Sequence, residues 1–216
     1  MELLYKNLTN YEHIVFDWNG TLLSDVELVL AILNENLTKH KLDTKTVQEF
    51  REHFSFPIKD FYLKLGMKNE LFEHYQKRYH ELYDSQYKSS ELYPGTLELI
   101  QRLHQTGKKL SILSAAKQEH LHEAVEHFGL RPYMEHVYGV SNNIAEGKSQ
   151  RGRELLDKVS IAKEKTILVG DTLYDAEVAK FLNIDVLLVA DGHQSYEQLL
   201  KAKCPILPSR YGSSLY

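Results

Sequence analysis

Cysteine, excess charge and long apolar runs are all scarce in this sequence. Cys204 is the single cysteine in 216 residues, so no intramolecular disulfide framework is available, and the expected setting is a reducing, cytoplasmic one. Its thiol precedes Pro205 with no motif around it and reads as a packing group. The formal net charge is only −4, from 26 basic and 30 acidic side chains. That balance offers no basic footprint for nucleic acid. The first eleven residues mix Leu with Glu, Lys and Asn, and do not follow the basic-then-apolar order of a secretory signal. No apolar run approaches the roughly 20 residues of a bilayer span. The expected partners are therefore neither nucleic acid nor membrane, and the expected assembly is a monomer or homodimer. No internal repeat or low-complexity segment is visible.

What is present is ordinary for a soluble globular chain, 43% hydrophobic and 26% charged. The length suits one α/β domain with a small insert. The most informative stretch is Ile14-Val15-Phe16-Asp17-Trp18-Asn19-Gly20-Thr21. Successive β-branched and aromatic residues suit a strand covered on both faces of a parallel sheet. Asp17 then sits at the strand's carboxyl end, where open α/β sheets place their ligands.

From residue 25 to about 91 no strand is expected. Val26 to Leu37 has helical apolar spacing. Thr44 or Thr46 can cap a second helix through Phe50 and Phe54, and Pro57 breaks it. A short helix over 59–65 ends at Gly66, and a long one covers 69–87. Tyr93-Pro94-Gly95 then punctuates the chain. Beyond it, helices over 96–106, 117–128, 149–159, 174–182 and 195–202 alternate with strands over 109–113, 136–140, 166–169 and 185–189. That rhythm predicts right-handed βαβ units. The expected fold is α/β: a doubly wound, Rossmann-like parallel sheet with an inserted all-helical domain. The core would comprise 1–24 and 92–216, and the insert 25–91. The tail from 205 to 216 has little periodicity and is expected to be draped or poorly ordered.

Four patterns lie at the ends of expected strands. They are Asp17-Trp18-Asn19-Gly20-Thr21-Leu22, Ser114 after Leu110-Ser111-Ile112-Leu113, Lys148 in Gly147-Lys148-Ser149, and Gly170-Asp171-Thr172-Leu173-Tyr174-Asp175. Taken singly, each has a plain structural reading as a cap, a turn or a solvated lysine. In this order they resemble the haloacid dehalogenase (HAD) superfamily, with a type-1 helical cap and a likeness to phosphoglycolate phosphatases. The resemblance implies an Mg²⁺-dependent phosphohydrolase acting on a small phosphorylated metabolite. Asp17 would be the nucleophile that forms an aspartyl-phosphate. Ser114 and the Ala115 backbone N–H would hold phosphoryl oxygens, and Lys148 would neutralise charge. Asp17, the Asn19 carbonyl, Asp171 and Asp175 would serve the metal. Ser149 stands where the family often has proline.

The clearest departure is Asn19, where the family's phosphatases carry a second Asp that shuttles a proton. An amide cannot do so, and losing a positioned acid–base group typically costs about 10²–10⁴ in rate. The motif leaves three readings open. One is a phosphatase that tolerates Asn19. Another is a phosphonoacetaldehyde-hydrolase-like enzyme, whose branch reads Asp-Trp-Ala-Gly-Thr and uses a cap lysine, for which Lys59 is the candidate. The last is a phosphate-ligand binder without turnover. Asn19→Asp is expected to raise activity if acid–base chemistry limits the rate.

In the insert, Arg51 and Lys59 are candidates to meet an anionic or hydroxylated substrate tail. Phe54 and Phe56 belong either to a specificity loop or to the helical core. Tyr75, Tyr79, Tyr83 and Tyr87 form a stripe that reads mainly as a packing face. His120, His122 and His127 read as helix-surface residues.

Overall fold

The computed structural model describes residues 1–140 and 147–211. In chain order its elements are α1 (Glu2–Leu8), β1 (His13–Phe16), β2 (Leu23–Ser24), α2 (Val26–Lys39), α3 (Val47–His53), α4 (Ile58–Lys64) and α5 (Phe72–Gln86). They continue with β3 (Glu91–Leu92), α6 (Thr96–Gln105), β4 (Lys109–Lys117), α7 (Gln118–His127), β5 (His136–Val140), α8 (Gly147–Lys158) and β6 (Thr166–Gly170). The last are α9 (Leu173–Leu182), β7 (Asp185–Val189), α10 (Tyr196–Leu199) and β8 (Ile206–Leu207).

Six strands form one sheet in the order β5-β4-β1-β6-β7-β8, with every neighbouring pair parallel. All four residues of β1 are buried, as a central strand covered on both faces requires. Alternate side chains serve alternate faces. Ile14 and Phe16 join Ile112 and Val169 in one apolar cluster. Val15 joins Leu113 and Leu168 against Leu155 of α8 and Val178 of α9 in another. The chain leaves β1 for β4 on one side and returns to β6 on the other. That reversal opens a crevice at the carboxyl end of β1.

The helical layer, α2 to α5, is entered and left through an antiparallel ribbon pairing Leu23 with Leu92 and Ser24 with Glu91. Thr46, not Thr44, caps α3. Its Oγ1 accepts from the Glu49 N–H, and the Thr46 N–H donates to Glu49 Oε2, a capping box. Phe50, Phe54 and Phe61 pack ring to ring, Phe54 and Phe61 with centroids 5.3 Å apart at 70°. No helix among the described residues is long and apolar enough to cross a membrane.

Several expectations are corrected. The N-terminal residues, to which the sequence pattern assigns no element, form α1, with Leu4 and Leu8, one turn apart, buried. β4 runs to Lys117, past the expected end at 113, with a register irregularity against β5 between Leu113 and Lys117. Ser114 therefore lies inside the strand, and α7 starts only at Gln118. α8 begins at Gly147, so Lys148 stands in its first turn. His120 is partly buried rather than on an open helix surface: its ring lies 4.2 Å from that of Tyr87, and its Nδ1 is 3.0 Å from Asp84 Oδ1. The tail is not loose over 206–211. β8 extends the sheet beside β7, and Arg210 is buried. Its remaining residues, 212–216, lie outside the described residues.

Candidate active site

The site is assembled from the ends of β1, β6 and β7 and the second half of β4, together with the first turns of α8 and α9. The Asp17 N–H still donates to the Val169 carbonyl at 2.8 Å, so the sheet ladder fixes its backbone. The chain then turns tightly, with the Leu22 and Leu23 N–H groups both donating to the Trp18 carbonyl at 3.0 Å. Gly20 takes φ +70°, and a Cβ there would stand 2.2 Å from Asp171 Oδ2 and from His193 Nδ1. Only glycine lets these groups close on the turn.

Lys148 Nζ donates to Asp17 Oδ1 and to Asp175 Oδ1, each at 2.6 Å. Asp175 Oδ2 accepts from Thr172 N–H at 3.0 Å and Thr172 Oγ1 at 2.7 Å. Asp175 thus caps α9 and holds the lysine with the same carboxylate. Asp171 Oδ1 accepts from Thr21 Oγ1 at 3.0 Å, and Oδ2 accepts from the His193 N–H at 2.6 Å. His193 Nδ1 lies 2.9 Å from the same oxygen, and its Nε2 is 3.6 Å from Asp25 Oδ1. Ser114 is buried, and its Oγ accepts from the Ala116 N–H at 3.0 Å.

The Asn19 side chain has a definite task. Its Nδ2 donates to Asp25 Oδ2 at 2.6 Å and to the Tyr83 hydroxyl at 2.5 Å. Tyr83 in turn donates to Asp25 Oδ2 at 2.7 Å, and the Gly20 N–H donates to Asp25 Oδ1 at 2.9 Å. Tyr83 comes from α5, so this cluster joins the helical layer to the turn after β1.

Burial pushes the Asp17 carboxyl up to about 7. The Lys148 charge opposes that rise, and the Asp175 and Asp171 charges add to it. Burial acts to lower the Lys148 ammonium, but the Asp17 and Asp175 carboxylates outweigh it and hold the group well above the usual lysine range. Burial also acts against charge on His193. The Asp25 charge and the Asp171 hydrogen bond overcome it and raise the ring to about 9. Burial would raise Asp171, yet the His193 contacts and the Thr21 hydrogen bond leave it below the usual carboxylate value.

Four buried carboxyl groups (Asp17, Asp25, Asp171 and Asp175) thus face two buried basic side chains, Lys148 and His193. Asp17, Asp171 and Asp175 offer oxygen atoms that all lie within 4.8 Å of one another. An all-oxygen, net-acidic donor set fits a hard divalent cation such as Mg²⁺.

Above this floor lies a cavity of about 270 Å³. Asp17, Asn19, Ser114, Ala115 and Lys148 are all on its wall. Arg51 and Lys59 are not. Arg51 instead donates from Nε to the Gly192 carbonyl at 2.8 Å and from Nη2 to the Asp191 carbonyl at 3.1 Å. Lys59 Nζ stands 5.8 Å from the Phe72 ring centroid. Phe54 and Phe56 pack on neighbouring rings, as the helical-core reading has it, and also line the cavity. Tyr79 and Tyr83, from the tyrosine stripe, also line it. Glu146, which precedes the Gly147-Lys148 pattern, lies outside the described residues.

Sequence reasoning missed Asp25, Tyr83 and His193 as site residues. His193 has a legible signal, since Ala190-Asp191-Gly192-His193 follows the carboxyl end of β7, on the same rim as Asp17 and Asp171.

A parallel sheet thus carries a lysine-bridged acidic centre at its switch point. The profile of haloacid dehalogenase-like hydrolases matches residues 14–189, and the chain belongs to that family. It is an enzyme of the phosphatase type. Its relatives include the pyrophosphatase PpaX of Halalkalibacterium halodurans, 24% identical over 75% of each chain. A 5'-nucleotidase of Pseudomonas aeruginosa is also 24% identical, over 88% of this chain and 87% of its own. Among solved structures, a haloacid dehalogenase-like hydrolase of Streptococcus pneumoniae superposes with a TM-score of 0.78 at 18% identity, covering 92% of this chain and 93% of its own.

Proposed function

We propose that the chain is an Mg²⁺-dependent phosphohydrolase of small phosphorylated metabolites that works through an aspartyl-phosphate on Asp17. The observation that carries this is Lys148, buried and hydrogen-bonded to Asp17 and Asp175 at 2.6 Å, on the same cavity floor as Ser114. A buried ammonium held between two carboxylates is positioned to offset the charge that gathers when a phosphate arrives. Asp17 would attack phosphorus and release the alcohol, and water would then cleave the acyl phosphate. Ser114 Oγ and the Ala115 N–H would bind phosphoryl oxygens. An Mg²⁺ held by Asp17, the Asn19 carbonyl and Asp171, with Asp175 alongside, would screen the repulsion between carboxylate and phosphate. Residues 25–91 would act as a cap over the core formed by 1–24 and 92–216.

Asn19 keeps its backbone role, but its side chain is engaged with Asp25 and Tyr83, and an amide cannot give a proton to the leaving oxygen. Leaving groups that depart without protonation should therefore react fastest. The carbon–phosphorus alternative needs a cap lysine in the cavity, and Lys59 is not on the wall. The test is Mg²⁺-dependent hydrolysis of p-nitrophenyl phosphate by wild type and Asp17→Ala. The expected result is turnover that the substitution lowers at least a hundredfold. Equal rates in the two proteins would overturn the assignment.

A further inference from the structure

We propose that the cavity selects phosphomonoesters whose alcohol portion is uncharged, apolar and ring-bearing, rather than ones carrying a second anionic group. This rests on the phosphatase reading and names its substrate class. The helical side of the cavity carries an apolar wall of Val29, Leu33, Phe50, Phe54, Phe56 and Phe61, beside polar groups of α5 that include Gln76, His80 and Asp84. The rings are already fixed against each other edge to face, Phe50 and Phe61 at 6.0 Å and 83°, Phe54 and Phe56 at 5.6 Å and 78°. A preformed aromatic wall rewards a ring that completes the same edge-to-face packing. The volume of about 270 Å³ lies just under the about 300–1,000 Å³ of drug-sized ligand sites. It suits a phosphoryl group with a single ring.

Charge argues the same way. Among the described residues, the basic side chains on the wall are Lys117, Lys148, His80, His120 and His193. Lys148 is held by Asp17 and Asp175, His193 by Asp171, and His120 by Asp84. Lys117 Nζ is 3.7 Å from Glu119, and its side chain is 54% exposed. Asp84 is itself on the wall. A carboxylate or second phosphate on the substrate's tail would leave water to face apolar rings, with the two buried basic groups, Lys148 and His193, already matched. Burying a charge without a partner is strongly unfavourable. Arg51 cannot meet it while donating to the Asp191 and Gly192 carbonyls.

The test must separate the tail from leaving-group chemistry, because Asn19 makes easily expelled groups react faster in any case. Benzyl phosphate and phosphoglycolate are both primary alkyl esters, so neither is an activated aryl leaving group. Their non-hydrolysable counterparts are benzylphosphonate and phosphonoacetate. With Mg²⁺ present, calorimetry is expected to show benzylphosphonate binding at least tenfold more tightly, and kcat/KM to favour benzyl phosphate by at least tenfold. Phosphonoacetate binding as tightly or more tightly overturns this inference and leaves the phosphatase reading standing. Tight benzylphosphonate binding without turnover of any ester supports the cavity and overturns the phosphatase reading. Binding of neither phosphonate overturns this inference, and the p-nitrophenyl phosphate comparison still decides the phosphatase reading. Ile58 lines the wall and is only half-buried, so a charge there is compatible with folding. Ile58→Lys should cut the benzyl-to-carboxylate preference at least fivefold, and an unchanged preference would contradict the role given to the wall.

Discussion

At residue scale the decisive group is Asn19. Its amide fills the space between the Asp25 carboxylate and the Tyr83 hydroxyl. A carboxylate at 19 would meet Asp25 at hydrogen-bond distance, so Asn19→Asp alone tests repulsion more than proton transfer. We expect Asn19→Asp to cost about 1–3 kcal/mol, lowering Tm by roughly 3–10 °C at pH 8, and Asn19→Asp/Asp25→Asn to recover most of it. Thermal melts check this, and the double variant, not the single one, is the fair test of whether a restored acid raises turnover. Asp17 supplies a pH prediction. Its carboxyl sits at about 7 in the fold against an ordinary 3.8, so the folded state holds the proton more tightly than the unfolded chain. That contribution to metal-free stability is complete below about pH 4 and is lost as pH rises through about 7. The melting temperature of Asp17→Asn minus that of wild type should therefore be larger at pH 8 than at pH 5, and a gap independent of pH would contradict the shift. The motif residues Asp17, Lys148, Asp171 and Asp175 were legible because each ends a strand or opens a helix. Asp25 and Tyr83 were not, because their partner, the Asn19 side chain, reads in sequence only as a missing proton shuttle.

At element scale two connections hold the site together. Arg210, after β8, donates from Nη2 to the Gly20 carbonyl at 3.0 Å, from Nη1 to the Thr21 carbonyl, and from Nε to Asp191 Oδ1 at 2.7 Å. Its guanidinium also lies 3.5 Å from the Tyr93 ring centroid. It pins the turn that carries Asn19 to the loop that carries His193. Arg210→Ala leaves buried carbonyls and Asp191 without this donor. It should cost about 3–5 kcal/mol, read in a denaturant melt, and lower kcat. Arg210→Lys should recover only part, since an ammonium cannot reproduce the planar fork. On the other side, the loop after β7 holds the end of α3. Ser195 N–H donates to the Arg51 carbonyl at 3.0 Å, and Gln194 Nε2 donates to the Phe54 carbonyl at 2.7 Å. The order of helices and strands was readable from apolar period and turn residues. The strap at 206–211 was not, because a two-residue edge strand and a single buried arginine leave no periodic trace.

At the scale of the whole molecule, the sheet order places the reversal at β1, and every group argued for the chemistry lies on that one rim under the helical layer. The parallel sheet was legible from strand–helix alternation. The apolar character of the cavity was not, since Val29, Leu33 and Phe61 are indistinguishable in sequence from helix-core residues until the helices are placed. The buried acidic excess predicts that Mg²⁺ stabilises the fold. At a hundredfold excess over its dissociation constant the gain should be about 2.7 kcal/mol, seen as a rise in the Tm of wild type that Asp171→Asn lacks. The central claim is that Asp17 carries the phosphoryl group. It is tested most directly by acid-quenching a single turnover of p-nitrophenyl phosphate with enzyme in excess and sequencing the peptides by mass spectrometry. The account predicts a phosphoryl group on Asp17 that rises and decays as product forms. Product released with the Asp17 peptide unmodified throughout, and Asp17→Asn still active, would contradict it.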